Sequence, residues 1–268
     1  MTHIIVDHSQ LWVEETGQGV PIVFSHSLFF DSTMFSGQVA EFSPTNRVIT
    51  YDHRGQGRSH PQSGPAASID ELAQDAAGLI EELGAGPCHF VGNSLGGFVA
   101  LRLAARRPDL LISCAILGSS GEAEGKLAEF TPLVDGMAAN GVAGFVDTIE
   151  YIMFGDTFLA DPARAAERAT WRAHIAALPI SIAECARAVI RRADILAELA
   201  GCRVPVLALA GAEDHAYSLK EAEAVARACG GRAQSVAQAG HSLALEQPTA
   251  VNALLAAHFA AAERIAAA

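Results

Sequence analysis

The run His89-Phe90-Val91-Gly92-Asn93-Ser94-Leu95-Gly96-Gly97 constrains this chain more than any other stretch. Residues 88–91 form a short apolar run of strand type. Phe98-Val99-Ala100-Leu101-Arg102-Leu103-Ala104-Ala105-Arg106 then continues without a breaker until Pro108, as a helix does. The chain therefore passes from a buried strand into a helix through a sharp turn with Ser94 at its apex. Only small neighbours fit such a turn, which accounts for Gly92 and Gly96 on either side. The hydroxyl then stands above the sheet edge, at the positive end of the following helix.

That context makes Gly92-Asn93-Ser94-Leu95-Gly96 a nucleophile elbow of the form Gly-x-Ser-x-Gly. A serine hydroxyl is a poor nucleophile until a base takes its proton. The base is usually a histidine held in the right tautomer by a carboxylate. Two later strand ends offer these groups. Residues 204–210 run into Gly211-Ala212-Glu213-Asp214, and residues 233–237 into Gln238-Ala239-Gly240-His241-Ser242. The order Ser94, Asp214, His241 nominates a nucleophile, an acid and a base. Glu122 and Glu124, beyond a strand ending near Gly118, are alternative acids, while Glu213 reads as facing solvent. Of the ten histidines, His3, His8, His60 and His258 read as surface residues and His89 as half-buried.

Stabilising the oxyanion takes two backbone N–H groups. One is expected from Leu95, directly after the serine. The other is expected from the loop Phe24-Ser25-His26-Ser27-Leu28-Phe29-Phe30, where Leu28 is the choice. Phe29, Phe30, Met34 and Phe35 place apolar surface near this loop, either for an acyl or aryl group or for ordinary helix packing.

Apolar runs at 20–25, 47–51, 88–92, 111–117 and 204–210 read as buried parallel strands, with an opening hairpin at 4–7 and 10–16 and a last strand at 233–237. Residues 68–83 have helical periodicity, with Ser68 and Glu71 forming a capping box. Strands alternating with helices imply an α/β fold: a mostly parallel eight-stranded sheet flanked by helices. Residues 121–200 break the rhythm. Segments 124–140, 142–153, 161–177 and 181–199 all read as helices, which makes 121–200 a helical cap inserted into a core of 1–120 and 201–268. His26, Phe29, Phe30, Met137, Tyr151, Phe154 and Trp171 are the candidate pocket liners. The alternative for the cap aromatics is packing against one another.

The chain has 268 residues, half of them hydrophobic, enough for one α/β domain with a large core. Its formal net charge of −12 disfavours nucleic acid and anionic membranes as partners. Five scattered cysteines without a Cys-x-x-Cys spacing imply reduced thiols and a cytoplasmic setting. No signal peptide or transmembrane span is expected.

Together these residues resemble the α/β-hydrolase superfamily over nearly the whole chain. Asp52-His53-Arg54-Gly55-Gln56-Gly57-Arg58-Ser59 looks like its turn D-x-R-G-x-G-x-S, and Gly240-His241 with Glu246-Gln247-Pro248 like its G-H-x(4)-E-Q-P ending. Asp52, Arg54 and Arg58 read as a hydrogen-bonded turn rather than substrate ligands, and Glu246 as a first-turn helix carboxylate. The closest flavour is the single-capped esterase and lactonase group that includes 3-oxoadipate enol-lactonases. The resemblance implies Ser94, Asp214 and His241 as the triad and Leu28 and Leu95 as the oxyanion hole. It implies no metal or cofactor, and a small apolar ester or lactone as substrate. Two departures stand out. His26-Ser27 replaces the usual His-Gly, and His215-Ala216-Tyr217-Ser218 lacks the usual proline after the acid. Carbon–carbon bond hydrolysis, perhydrolysis and acyl transfer on the same residues are the alternatives, with a low-turnover ligand-binding module as a different class. The sequence does not choose between monomer and homodimer.

Overall fold

The computed structural model describes residues 1–6, 9–61 and 68–267. Its strands are β1 (Thr2–Val6), β2 (Ser9–Thr16), β3 (Pro21–Ser25), β4 (Arg47–Tyr51), β5 (His60–Pro61), β6 (Cys88–Asn93), β7 (Leu111–Leu117), β8 (Val206–Gly211) and β9 (Arg232–Val236). Eight of them form a sheet in the order β1-β2-β4-β3-β6-β7-β8-β9, while the two-residue β5 pairs with β2. β1 and β2 pair antiparallel, as do β2 and β4; every pairing from β4 to β9 is parallel.

The sequence pattern explains this order. β6 and β8 are buried at every position, as central parallel strands are, and β8 reads as an unbroken apolar run. β2 instead alternates buried and half-buried residues, and β9, at the sheet edge, is mostly exposed. Helices flank the sheet: α1 (Ser36–Phe42), α2 (Ile69–Glu82), α3 (Leu95–Arg106), α9 (Leu219–Cys229), α10 (Leu243–Glu246) and α11 (Pro248–Ala266). Helix α2 buries Ile69, Leu72, Ala73, Ala76, Leu79 and Ile80, and Ser68 caps it by accepting from Glu71 N–H at 3.2 Å, as the sequence predicts. The strand order reverses between β3 and β6, and a crevice outside the strand ends forms at such a switch point.

Between β7 and β8 the chain makes only helices: α4 (Leu127–Asn140), α5 (Val146–Met153), α6 (Asp156–Ala160), α7 (Ala165–Ala176) and α8 (Ile182–Ile190). Helix α6 is one that the sequence did not suggest, α5 and α7 each begin four residues later than expected, and two further boundaries differ for visible reasons. Residues 124–126 are not helical, because Glu124 turns its carboxylate back onto Lys126 N–H at 2.9 Å. The helix expected over 181–199 stops at Ile190. Arg192 is buried there, its guanidinium 4.2 Å from the centre of the Phe98 ring, and Asp194 accepts from Leu196 N–H in a local turn.

At the turn after β6 the backbone leaves no room. A Cβ on Gly92 would lie 2.0 Å from Gly96 O, and one on Gly96 would lie 1.9 Å from Ser25 O. Gly96→Ala is expected to lower stability by about 3 kcal/mol, since backbone rather than a flexible side chain must move. Urea unfolding of the purified variant measures it.

Candidate active site

Ser94 sits between β6 and α3 with φ 51° and ψ −109°, a conformation that L residues rarely adopt. Its N–H donates to Leu117 O at 2.8 Å, and its carbonyl accepts from Ser119 Oγ at 2.9 Å. The end of β7 and the residues just after it thus hold the turn from both sides. Ser94 Oγ lies 2.7 Å from His241 Nε2. His241 Nδ1 lies 3.0 Å from Asp214 Oδ2 and 3.2 Å from Oδ1. Asp214 follows β8 and His241 follows β9, so three neighbouring parallel crossovers bring these residues together. The Asp214 side chain is fully buried, and the N–H groups of Ala216 and Tyr217 donate to its Oδ1 at 2.7 and 3.0 Å. Those bonds aim the carboxylate at the imidazole.

The alternative acids lie elsewhere. Glu124 is paired with Arg192 at 2.9 Å, both side chains almost wholly buried, and it accepts from Tyr217 Oη at 2.7 Å. Burial pushes its carboxyl up, but these partners and Lys126 N–H together hold it below the usual value. Glu122 bears on this cluster only through its carbonyl, which accepts from Arg192 Nε at 3.1 Å.

The loop after β3 carries the proposed oxyanion donor. Ser27 N–H points at Met34 Sδ, 3.3 Å away, so this donor is occupied. The next N–H, that of Leu28, follows a carbonyl 2.8 Å from His26 Nδ1. His26 is buried, which holds its imidazole below the ordinary pKa, and its Nε2 accepts from His53 N–H at 2.9 Å. Phe29 has φ 70°, a second left-handed residue beside the site.

A cleft opens over Ser94 and His241. Leu28 and Phe29 line it from the β3 loop, Ala216 and Tyr217 from the acid loop, and Phe130, Leu133, Val134, Met137, Ile152, Met153, Ala186, Val189 and Ile190 from the helical segment. Its one charged liner, Glu124, already faces Arg192.

A family model described as "Alpha/beta hydrolase family" matches residues 22–254, most of the chain. The chain belongs to the alpha/beta hydrolase family. This hydrolase is 27% identical to 3-oxoadipate enol-lactonase 1 of Acinetobacter baylyi over 227 residues, 85% of this chain and 84% of the relative. Among solved structures it resembles the enol-lactonase from Burkholderia xenovorans, with a TM-score of 0.88, 26% identity, and coverage of 96% and 99% of the two chains. It also resembles an N-acyl homoserine lactone degrading enzyme, with a TM-score of 0.83, 27% identity, and coverage of 95% and 99%.

Several expected liners of the hydrolase's cleft are not there. Phe30 packs edge-on against both Phe154 and Trp171, with Phe154 stacked on Phe158. Tyr151 is 55% exposed and stacks on His215 at 4.0 Å. His26 is buried beneath the loop. Met34 and Phe35 are core residues. Aromatic size marks burial, and here it is spent on joining helices; the cleft wall is mostly aliphatic. His258 is likewise buried, bonded to Cys114 O at 3.1 Å, and its imidazole is pushed down to about 4 by burial. His89 is fully buried against Ser113 and Phe259. His3 is half-exposed; His8 and the His60 side chain lie outside the described residues. Asp52 accepts from Ser32 N–H and Arg58 N–H at 2.9 and 2.8 Å, and Arg54 pairs with Asp75, so the expected turn is structural. No helix among the described residues is long and apolar enough to cross a membrane.

Sequence reasoning missed two groups. Glu213 accepts from Thr157 N–H and Thr157 Oγ1 at 2.7 and 2.6 Å rather than facing solvent. Asn93 Nδ2 donates to His241 O at 3.0 Å. The elbow's second position carried that signal, since an amide beside the serine has a fixed neighbour across the sheet end. Glu246 is a third surprise: besides Ser242 N–H at 3.0 Å, it accepts from Gly240 N–H and Gly155 N–H, each at 2.9 Å.

Burial pushes the Glu246 carboxyl up from the ordinary 4.5 to about 7, against those three N–H bonds. A carboxyl with a higher pKa when folded binds its proton more tightly in the folded protein. Its effect on stability is therefore a loss that accumulates as pH rises from 4.5 to 7 and is constant above. Glu246→Gln removes the titration. The melting temperature of the variant minus that of the unsubstituted protein is expected to increase between pH 5 and 7.5, as read by calorimetry.

Proposed function

We propose that this hydrolase cleaves a small apolar carboxylic ester or lactone through Ser94, His241 and Asp214. The observation that carries the reading is the 2.7 Å approach of His241 Nε2 to Ser94 Oγ with Asp214 on the other ring nitrogen. Asp214 holds the imidazole with its proton on Nδ1, leaving Nε2 free to accept the serine proton. Ser94 Oγ attacks the carbonyl carbon, and charge moves onto the carbonyl oxygen. The N–H groups of Leu28 and Leu95 receive that oxyanion: Leu95 opens α3, and Leu28 is the donor left in its loop once Ser27 has turned to Met34. His241 then gives its proton to the leaving alkoxide. Water, deprotonated by the same histidine, releases the acid from the acyl-enzyme.

In this reading residues 121–200 are the cap and residues 1–120 and 201–268 the core. The aliphatic cleft selects an uncharged group. A charged substrate would be desolvated there with no unpaired counter-charge, since Glu124 and Arg192 satisfy each other. The relatives named as lactonases support the ester or lactone part of this reading. The chemistry calls on no metal or cofactor.

Proton release across a panel of short and long acyl esters, aryl esters and lactones of several ring sizes tests the proposal. Ser94→Ala is expected to lower kcat by about 10⁴-fold or more while the protein stays folded, because alanine fits the turn. Asp214→Asn is expected to cost about 10⁴-fold, and Glu124→Gln far less. Activity retained by a folded Ser94→Ala variant would end this reading.

A further inference from the structure

Glu246 sits where two parts of the chain meet, and no reacting atom touches it. It closes the four-residue α10 and its side chain reaches back over the loop that carries His241. Within that loop the backbone groups on either side of the imidazole are held: Gly240 N–H and Ser242 N–H by Glu246, and His241 O by Asn93. The oxygen that accepts from Gly240 also accepts from Gly155, at the joint between α5 and α6. The two glycines lie so close that a Cβ on Gly240 would come within 2.0 Å of Gly155 N. One residue earlier in the joint, Phe154 packs on Phe30; two earlier, Met153 lines the cleft and its carbonyl accepts from Ser242 N–H at 3.1 Å.

A helix-capping carboxylate has no need of Gly155, and a simple loop brace has no need of burial to 2% exposure. We propose that Glu246 is a positioning residue that fixes His241 relative to Ser94 and seats the α5–α6 joint on the same loop. It rests on Ser94 and His241 being the reacting pair. One carboxylate thereby sets the base and one wall of the cleft together.

The ionised form is required, because its two oxygens accept three N–H bonds. A protonated carboxyl, or an amide, turns a donor toward an N–H and releases at least one of them. Four other charged or titratable groups surround it. Asp214 opposes its ionisation; Glu213 lies against Gly155; His241 is on the loop it holds; and Arg164 donates to the carbonyls of Leu245 and Glu246 at 3.1 Å.

Glu246→Gln and Glu246→Asp in the full chain test this. With p-nitrophenyl butyrate at pH 8, the glutamine variant is expected to lose about 10–100-fold in kcat with KM within about threefold, as for a misplaced base. Its deficit should shrink as pH falls from 8 to 5.5, because the unsubstituted protein then carries an uncharged group at the same place. A merely structural role gives a deficit independent of pH. Glu246→Asp keeps the charge but withdraws it from Gly155, and is expected to lose about tenfold; it serves if the glutamine variant does not fold. Independently of any substrate, the downfield proton resonance of His241 Nδ1–H should be sharp in the unsubstituted protein and broadened in either variant. A folded variant with kcat within twofold and an unchanged resonance overturns the proposal. If the unsubstituted protein neither hydrolyses esters nor is labelled at Ser94 by a fluorophosphonate, the hydrolytic reading of the triad fails instead, and the resonance alone decides the role of Glu246.

Discussion

Ser94 holds a left-handed backbone conformation that costs roughly 1–3 kcal/mol wherever a residue with a side chain adopts it. Everything near the site is arranged to keep it there. Leu117 at the end of β7 accepts from its N–H, Ser119 just beyond donates to its carbonyl, and the loop after β3 accepts from Gly96 N–H through His26 O at 3.1 Å. The close approach of Gly92, Gly96 and Ser25 leaves no alternative path for the chain. The result is a hydroxyl in one place, above the switch point of the sheet, with the imidazole able to reach it from the end of β9, three strands away.

The helical segment is secured to that platform by buried and half-buried carboxylates rather than by apolar packing alone. Glu213 beside Asp214, Glu246 on the loop of His241 and Glu124 on the cleft wall each bond across from one part of the chain to the other, Glu124 through Tyr217 Oη. Buried ion pairs and carboxylates contribute little net stability, because desolvation cancels most of the attraction. What they impose is a single arrangement, since any other leaves an N–H or a charge unpaired in a dry place. That suits a site in which Asp214, His241 and the cleft wall come from distant segments.

Much of this was legible in the sequence. The β6–turn–α3 unit, the buried parallel strands and the positions of Asp214 and His241 followed from local patterns: apolar run, small-residue turn, helix, and polar residues just past strand ends. The cleft lining did not. Phe154 and Trp171 are large and apolar, and that alone cannot say whether a ring meets a neighbouring helix or a cavity. Nor did Glu213 or Glu246, whose donors Thr157 and Gly155 lie 56 and 91 residues away in the chain.

By itself the sequence determined the strand–serine–helix turn, the α/β layering and the placing of Asp214 and His241 just past strand ends, because each rests on interactions within a few residues or on hydrophobic periodicity. Only the tertiary structure decided that Asp214 rather than Glu124 faces His241, and which helices wall the cleft. Hydrogen bonds between distant segments have no local signature: a carboxylate reads the same in sequence whether it meets water, an arginine or three backbone N–H groups.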